Sequence, residues 1–169
     1  MNTPTLVATT LPPVPATGNR FVHYGVSLLK AYASCERHIV RRLAEDYLRI
    51  AERYADSRHY GNAIHQANTV LGLLELERGR IEVAEQYLVR AACTPGSPQL
   101  SGMGPNMLLA KKLLEAGRTQ TVLEYLTHCG KIWKLSFGRI WMWKLNIRRG
   151  RTPDFGANLS HLLDYKSFG

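Results

Sequence analysis

From Leu28 onward, apolar or small side chains recur at Tyr32, Cys35, Ile39, Leu43, Tyr47, Ile50 and Tyr54, always three or four residues apart. That spacing is one face of an α-helix. No Gly or Pro falls between Val26 and Tyr60, so one long helix, or two nearly continuous ones, is expected over 22–56. A second stripe, Ile64, Asn68, Leu71 and Leu74, ends at Arg78-Gly79: a basic last turn followed by a helix-terminating Gly. Ile81 to Cys93 forms the next helix, stopped by Thr94-Pro-Gly-Ser-Pro. Pro105, after Gly102-x-Gly104, suits the first turn of a helix that closes at Ala116-Gly117. Thr119 is the expected N-cap of a helix reaching about Trp133. Residues 137–149 read as helical and basic, 150–153 as a break, and 157–165 as a short last helix. Alternation of the strand kind is missing throughout, and the expected fold class is all-α.

Part of this pattern occurs twice. Ala44-Glu45-x-Tyr47-Leu48-x-x-Ala51 returns 40 residues later as Ala84-Glu85-x-Tyr87-Leu88-x-x-Ala91, the signature of a helix reused in a stacked array. The two Gly stops align the units better. Leu71-Gly72, Gly79, Ala84, Leu88 and Ala91 correspond to Leu109-Ala110, Gly117, Val122, Leu126 and Cys129, at an offset of 38 residues. The small residue at 72 or 110 admits a close neighbour, and the one at 84 or 122 faces it. With these residues the chain resembles the tetratricopeptide repeat, over roughly 100 residues. Unit one covers about 65–98, unit two about 103–136, and the 44–51 helix looks like the end of an earlier, degenerate unit. Asn68 and Asn106 stand where that family usually has an aromatic residue, Glu75 where it often has Tyr, and the closing Pro is displaced to Pro95 or Pro98. The resemblance implies antiparallel helix-turn-helix units and a concave groove lined by the first helix of each. By position, that groove comprises Gln66, Thr69 and Leu73 with Met107 and Lys111. It also implies a role in binding a protein or peptide. Gly104-Pro-Asn-Met-Leu-Leu-Ala and Pro153-Asp-Phe-Gly-Ala-Asn-Leu are further similar to the tails of uncharacterised bacterial helical-repeat proteins, which suggests a bacterial cytoplasm and implies no activity.

Composition limits the alternatives. A chain of 169 residues suits a single domain, and the absence of any run of about 20 apolar residues argues against a transmembrane segment. Residues 1–19 hold four Pro, five Thr and no charge, and are expected to be a flexible leader before one domain over 20–169. That domain divides into an N-terminal helical region (20–58), the repeat-like units (59–136) and a basic helical cap (137–169). Three Cys without ligand spacing suggest free thiols and a cytoplasmic setting.

The net charge of +9 is concentrated at one end. Residues 61–130 carry six Lys/Arg against six Asp/Glu, whereas 131–169 carry eight against two. Within that stretch Lys131, Lys134, Arg139, Lys144, Arg148, Arg149 and Arg151 alternate with Trp133, Phe137, Trp141 and Trp143, and no acidic residue falls between Glu124 and Asp154. Such a segment can neutralise nucleic-acid phosphates while its rings stack on bases, lie on an anionic membrane, or receive an acidic protein. The expected reading is a capping helix whose aromatic residues close the last repeat and whose charges are solvated. Because Trp141, Met142 and Trp143 are consecutive, they cannot share one helix face.

Catalytic signals are weak. Cys129 occupies a packing position, and His128 beside it points about 100° away on a helix. Glu75, Glu77, Glu82 and Glu85 read as a solvated acidic face. Neither a metal site, a cofactor motif nor a nucleophile–base arrangement is recognisable. The expected function is therefore a protein-interaction adaptor and not an enzyme. The alternative is a nucleic-acid-associated regulator using 131–151, with Arg139, Lys144, Arg148, Arg149 and Arg151 as its basic patch.

Overall fold

The computed structural model describes residues 19–164, so the expected leader over 1–19 lies outside the described residues except for Asn19, which opens the first helix. Among the described residues eight α-helices follow one another: α1 (Asn19–Ala33), α2 (Arg37–Ala51), α3 (Tyr60–Glu77), α4 (Ile81–Ala92), α5 (Pro98–Gly102), α6 (Leu108–Glu115), α7 (Thr119–Ile132) and α8 (Arg139–Arg148). One-turn 3-10 helices occupy Glu52–Tyr54 and Gly156–Leu159. The described residues contain no strand, and the fold is all-α.

Four helix ends close in the same way. After α3, the Arg80 N–H donates to Glu75 O (3.0 Å) and the Gly79 N–H to Leu76 O (3.0 Å). After α6, Arg118 donates to Leu113 O (2.8 Å) and Gly117 to Leu114 O (2.9 Å). Arg151 and Gly150 repeat the pair after α8, and Glu36 and Cys35 after α1. Each arrangement satisfies carbonyls that a helix end leaves open, and each places one residue in the left-handed region. That residue is Gly79 (φ 73°), Gly117 (77°), Gly150 (72°) or Cys35 (58°).

The last of these corrects the sequence reading. Of the two readings of 22–56, two helices and not one long one are found, separated only by 34–36; they do not run on in one direction, because the chain reverses at Cys35 and α1 folds back along α2. Phe21 meets Tyr47 with ring centroids 5.3 Å apart and stacks on Tyr54 at 5.1 Å. Three other boundaries differ. The short last helix expected over 157–165 is a 3-10 turn over Gly156–Leu159 within the described residues. Pro105 lies in an irregular turn before α6 instead of opening it, and the Asn106 side chain accepts from the Leu108 N–H (2.8 Å) to start that helix. Thr119 is already helical, with Arg118 at the cap position and no side-chain capping bond.

α3 is the centre of the molecule. From Gly61 to Glu75 every residue but Ile64 is buried, because α1, α2, α4, α5 and α6 all pack on it. α4 lies antiparallel beside it: His65 near the start of α3 is bonded to Ala91 O near the end of α4, while Gly72 faces Ala84 further along. A Cβ on Gly72 would overlap the Leu109 side chain of α6 and come within 3.1 Å of Tyr87 Cβ. The bare backbone there allows α4 and α6 to approach α3 together. Beyond them α7 packs on α4 and α6, and α8 on α7. Ile140, Trp143 and Ile147 turn inward from α8 and are buried.

Candidate functional site

The polar residues of α3 from Asn62 to Glu75 are buried and bonded. Asn62 donates to Gln99 Oε1 (2.7 Å) and accepts from Ser97 Oγ (2.5 Å). His65 Nδ1 lies 2.9 Å from Ala91 O, and its Nε2 accepts from the Asn106 N–H at 2.8 Å. A carbonyl only accepts and an amide N–H only donates, so His65 carries its proton on Nδ1 and is neutral. Burial is the main reason its pKa falls to about 4.

Asn106 links this helix to the C-terminal segment. Its side-chain amide donates to Leu159 O (3.1 Å) and His161 O (2.8 Å), and its backbone carbonyl accepts from the Tyr125 hydroxyl (2.6 Å). Asn158 reciprocates, donating to Met103 O and Pro105 O, both at 3.0 Å. Its own carbonyl accepts from the Met107 N–H (2.8 Å). Gln66 Nε2 donates to Leu162 O at 3.0 Å. The two stretches at 104–110 and 153–159 thus meet, and the segment after α8 lies across the starts of α3 and α6.

That placement bears directly on the expected groove. Gln66, Thr69, Leu73 and Met107 are all buried, and of the five groove residues only Lys111 keeps part of its surface. Gln66 and Met107 are bonded to the chain's own residues 162 and 158, and Thr69 is bonded to His65 O at 2.7 Å. In this structure these positions present no open groove.

Of the four glutamates read as a solvated acidic face, Glu77 and Glu82 are exposed and Glu85 is partly so, but Glu75 is not. Glu75 is buried, and its carboxylate accepts from Arg41 of α2 and from Arg80. Burial alone pushes the Glu75 carboxyl up, but the hydrogen bonds and charges of Arg80 and Arg41 outweigh it and hold its pKa below the usual value. Glu77 pairs with Arg37 at 2.8 Å. Arg118 reaches Glu82 (2.5 Å) and Glu85 (3.7 Å). These acids join neighbouring helical hairpins. Among the described residues no three His, Cys, Asp or Glu converge as metal ligands. The Cys129 thiol is buried, and burial pushes its pKa up, away from a reactive thiolate.

The basic segment is built differently. Trp133 and Trp143 are 1% and 3% exposed, with ring centroids 5.5 Å apart. Trp133 Nε1 donates to Gly102 O and Trp143 Nε1 to Asp154 O, each at 3.2 Å. These rings close the end of the helical stack. Outward, however, Phe137 is 84% exposed, Trp141 70%, Met103 56%, Leu135 52% and Met142 48%. Around them Arg139, Arg148, Arg149 and Arg151 are exposed, and Lys144 is half-buried with its amine on Thr127 Oγ1 (2.8 Å). Among the described residues, the carboxylates up to Asp154 make no ion pair with a Lys or Arg of 131–151. The segment therefore contains both an inward cap and an outward surface of apolar and cationic side chains.

Beside that surface lies a shallow depression of about 400 Å³, to which Arg58, Lys131, Lys134, Ser97 and Ser101 contribute. The Leu135 N–H donates to Ser101 O at 3.0 Å and joins the depression to the exposed loop. A narrower cleft of about 40 Å³, between α1 and α3 near Gly25, Tyr47 and Gln66, has room for little more than water.

Known families, curated proteins and solved structures were compared with the chain, and none matches it.

Proposed function

We propose that the chain is a non-catalytic binding module, a helical adaptor whose contact surface is the outward face of α8 and the loop before it. The observation that carries this reading is the concentration of five large exposed apolar side chains, Met103, Leu135, Phe137, Trp141 and Met142, among the exposed basic residues Arg139, Arg148, Arg149 and Arg151. Exposed apolar clusters of this kind are characteristic of surfaces that meet something else. The tetratricopeptide-like architecture is part of the proposal: two hairpins with the same turn, 38 residues apart, support it. Two inner positions of such an array, Gln66 and Met107, are bonded here to the chain's own C-terminal segment, so the partner is met on the outer face. A cytoplasmic setting, with free thiols, belongs to the same reading. A nucleic-acid role for 131–151 draws support from the exposed rings of Phe137 and Trp141 near Arg148 and Arg149.

A photo-crosslinking residue placed at 137 or 141, compared with one at exposed Lys112, tests the choice of face in living cells. Adducts are expected from 137 and 141 and not from 112. Equal labelling at all three positions, or labelling from 112 alone, refutes the assignment.

A further inference from the structure

We infer that the partner of this face is an anionic lipid surface, a step that rests on the outward face of α8 being the binding surface. Capping the helical stack needs only Ile140, Trp143 and Ile147, which are buried. It gives no reason for Leu135, Phe137, Trp141 and Met142 to stand in water. Met103 joins them, because its neighbours Ser101 and Gly102 are bonded to Leu135 and Trp133.

The backbone holds this group outward. Phe137 and Gly138 are consecutive left-handed residues (φ 47° and 80°), and they turn the chain sharply before α8. Left-handed backbone at Phe is uncommon, and here it leaves the ring 84% exposed at the loop tip. On α8 itself, Trp141 and Arg148 are seven residues apart and share one side, flanked by Met142 and Arg149. Apolar and cationic groups are thus interleaved across one surface.

The chemistry of the apolar members selects the occupant. Base stacking uses ring faces and has no use for Leu135, Met142 and Met103, whereas hydrocarbon and the headgroup boundary accept all five. Trp is at home at that boundary, where an apolar ring and a polar N–H find matching surroundings. Lys and Arg around such a group are drawn to anionic headgroups. The depression beside the loop presents Arg58, Lys131 and Lys134 with two serines, a polar site of the right sign for a headgroup phosphate. No helix among the described residues is long and apolar enough to cross a membrane, so contact is at the surface.

Vesicles of phosphatidylcholine containing about 30% phosphatidylserine, against pure phosphatidylcholine, provide the test. The full chain should co-sediment with the first and not the second, and roughly 0.5 M salt should weaken binding relative to 0.1 M. Trp141 is the exposed Trp of three, so its emission should move to the blue on binding. Trp141→Phe should remove that change and keep most of the binding. Phe137→Ser with Trp141→Ser should weaken partitioning by about tenfold or more, since two large rings no longer leave water. Unchanged emission on co-sedimentation, equal binding to neutral vesicles, or binding that survives the double serine variant overturns the inference. A single-stranded oligonucleotide and an acidic peptide serve as parallel probes. If either binds through Phe137 and Trp141 while vesicles do not, the lipid assignment falls and the face remains a binding surface. If no probe binds, the lipid assignment falls as well, and crosslinking decides the face separately.

Discussion

Replacing Gly72 by Ala sets two opposed effects against each other at one atom. In a helix interior, Ala is favoured over Gly by about 0.8–1.0 kcal/mol. At this position the new methyl overlaps a Leu109 methyl and lies 3.1 Å from Tyr87 Cβ. Leu109 is fully buried and cannot swing into solvent, so the overlap must be relieved by an unfavourable rotamer or by separating α3 from α6. Overpacking of that kind costs about 1–3 kcal/mol, and the net expectation is a loss of roughly 0–2 kcal/mol. Gly72→Leu inserts far more volume and should cost more. The decisive measurement is the same substitution in a Leu109→Ala background. That background alone should lose about 2–5 kcal/mol through the cavity it leaves. Within it the methyl of Gly72→Ala occupies vacated space, and the change should become neutral or stabilising by up to about 1 kcal/mol. Urea unfolding of the four proteins of this cycle, with slopes compared for constancy, gives the coupling directly. An equal cost of Gly72→Ala in both backgrounds would show that Leu109 is not what limits the approach. A wild-type background stabilised by Gly72→Ala would refute the close contact altogether.

Other substitutions separate what holds the fold from what faces out. Because the folded-state pKa of His65 is depressed to about 4 from 6.5, its contribution is fully present above pH 6.5. It is lost as pH falls toward 4, by roughly 3 kcal/mol in total. Urea midpoints between pH 7 and 4.5 should therefore fall for the wild type and fall less steeply for His65→Leu; an unchanged slope in the variant contradicts the buried neutral imidazole. Trp133→Ala should lose about 3–5 kcal/mol and Trp141→Ala within about 0.5 kcal/mol, so comparable thermal shifts for the two would contradict the division into cap and surface. Asn158→Ala leaves Met103 O and Pro105 O without their donor and should cost about 1–3 kcal/mol. A neutral result would show that the C-terminal segment does not anchor the turn before α6.

Much of the helical order was legible in the chain itself. The stripe ending at Arg78-Gly79 and the pair Ala116-Gly117 locate the ends of α3 and α6, because Gly takes the left-handed position that closes a helix without a Cβ penalty. Gly72 and Ala84 indicate a contact across a hairpin because small residues at helical spacing admit a close neighbour, and the structure places them face to face. The impossibility of burying Trp141, Met142 and Trp143 together follows from helix geometry alone, and Trp143 is the one that turns inward.

Tertiary structure decided the rest. Cys35 closes α1 in a conformation that costs about 1–2 kcal/mol for a residue with a Cβ, so nothing local announces the reversal; the packing of Phe21 on Tyr47 and Tyr54 sustains it. Gln66 and Thr69 are groove positions by their place in the repeat the chain resembles, yet a polar side chain is buried readily once every donor finds an acceptor. The acceptor for Gln66 is Leu162 O, 96 residues away. Glu75 carries the signature of a solvated carboxylate until Arg41 and Arg80 arrive from outside its helix and remove it from water. Periodicity records which face of a helix avoids water. Which partner covers that face, and which charges meet there, depends on contacts between residues far apart along the chain.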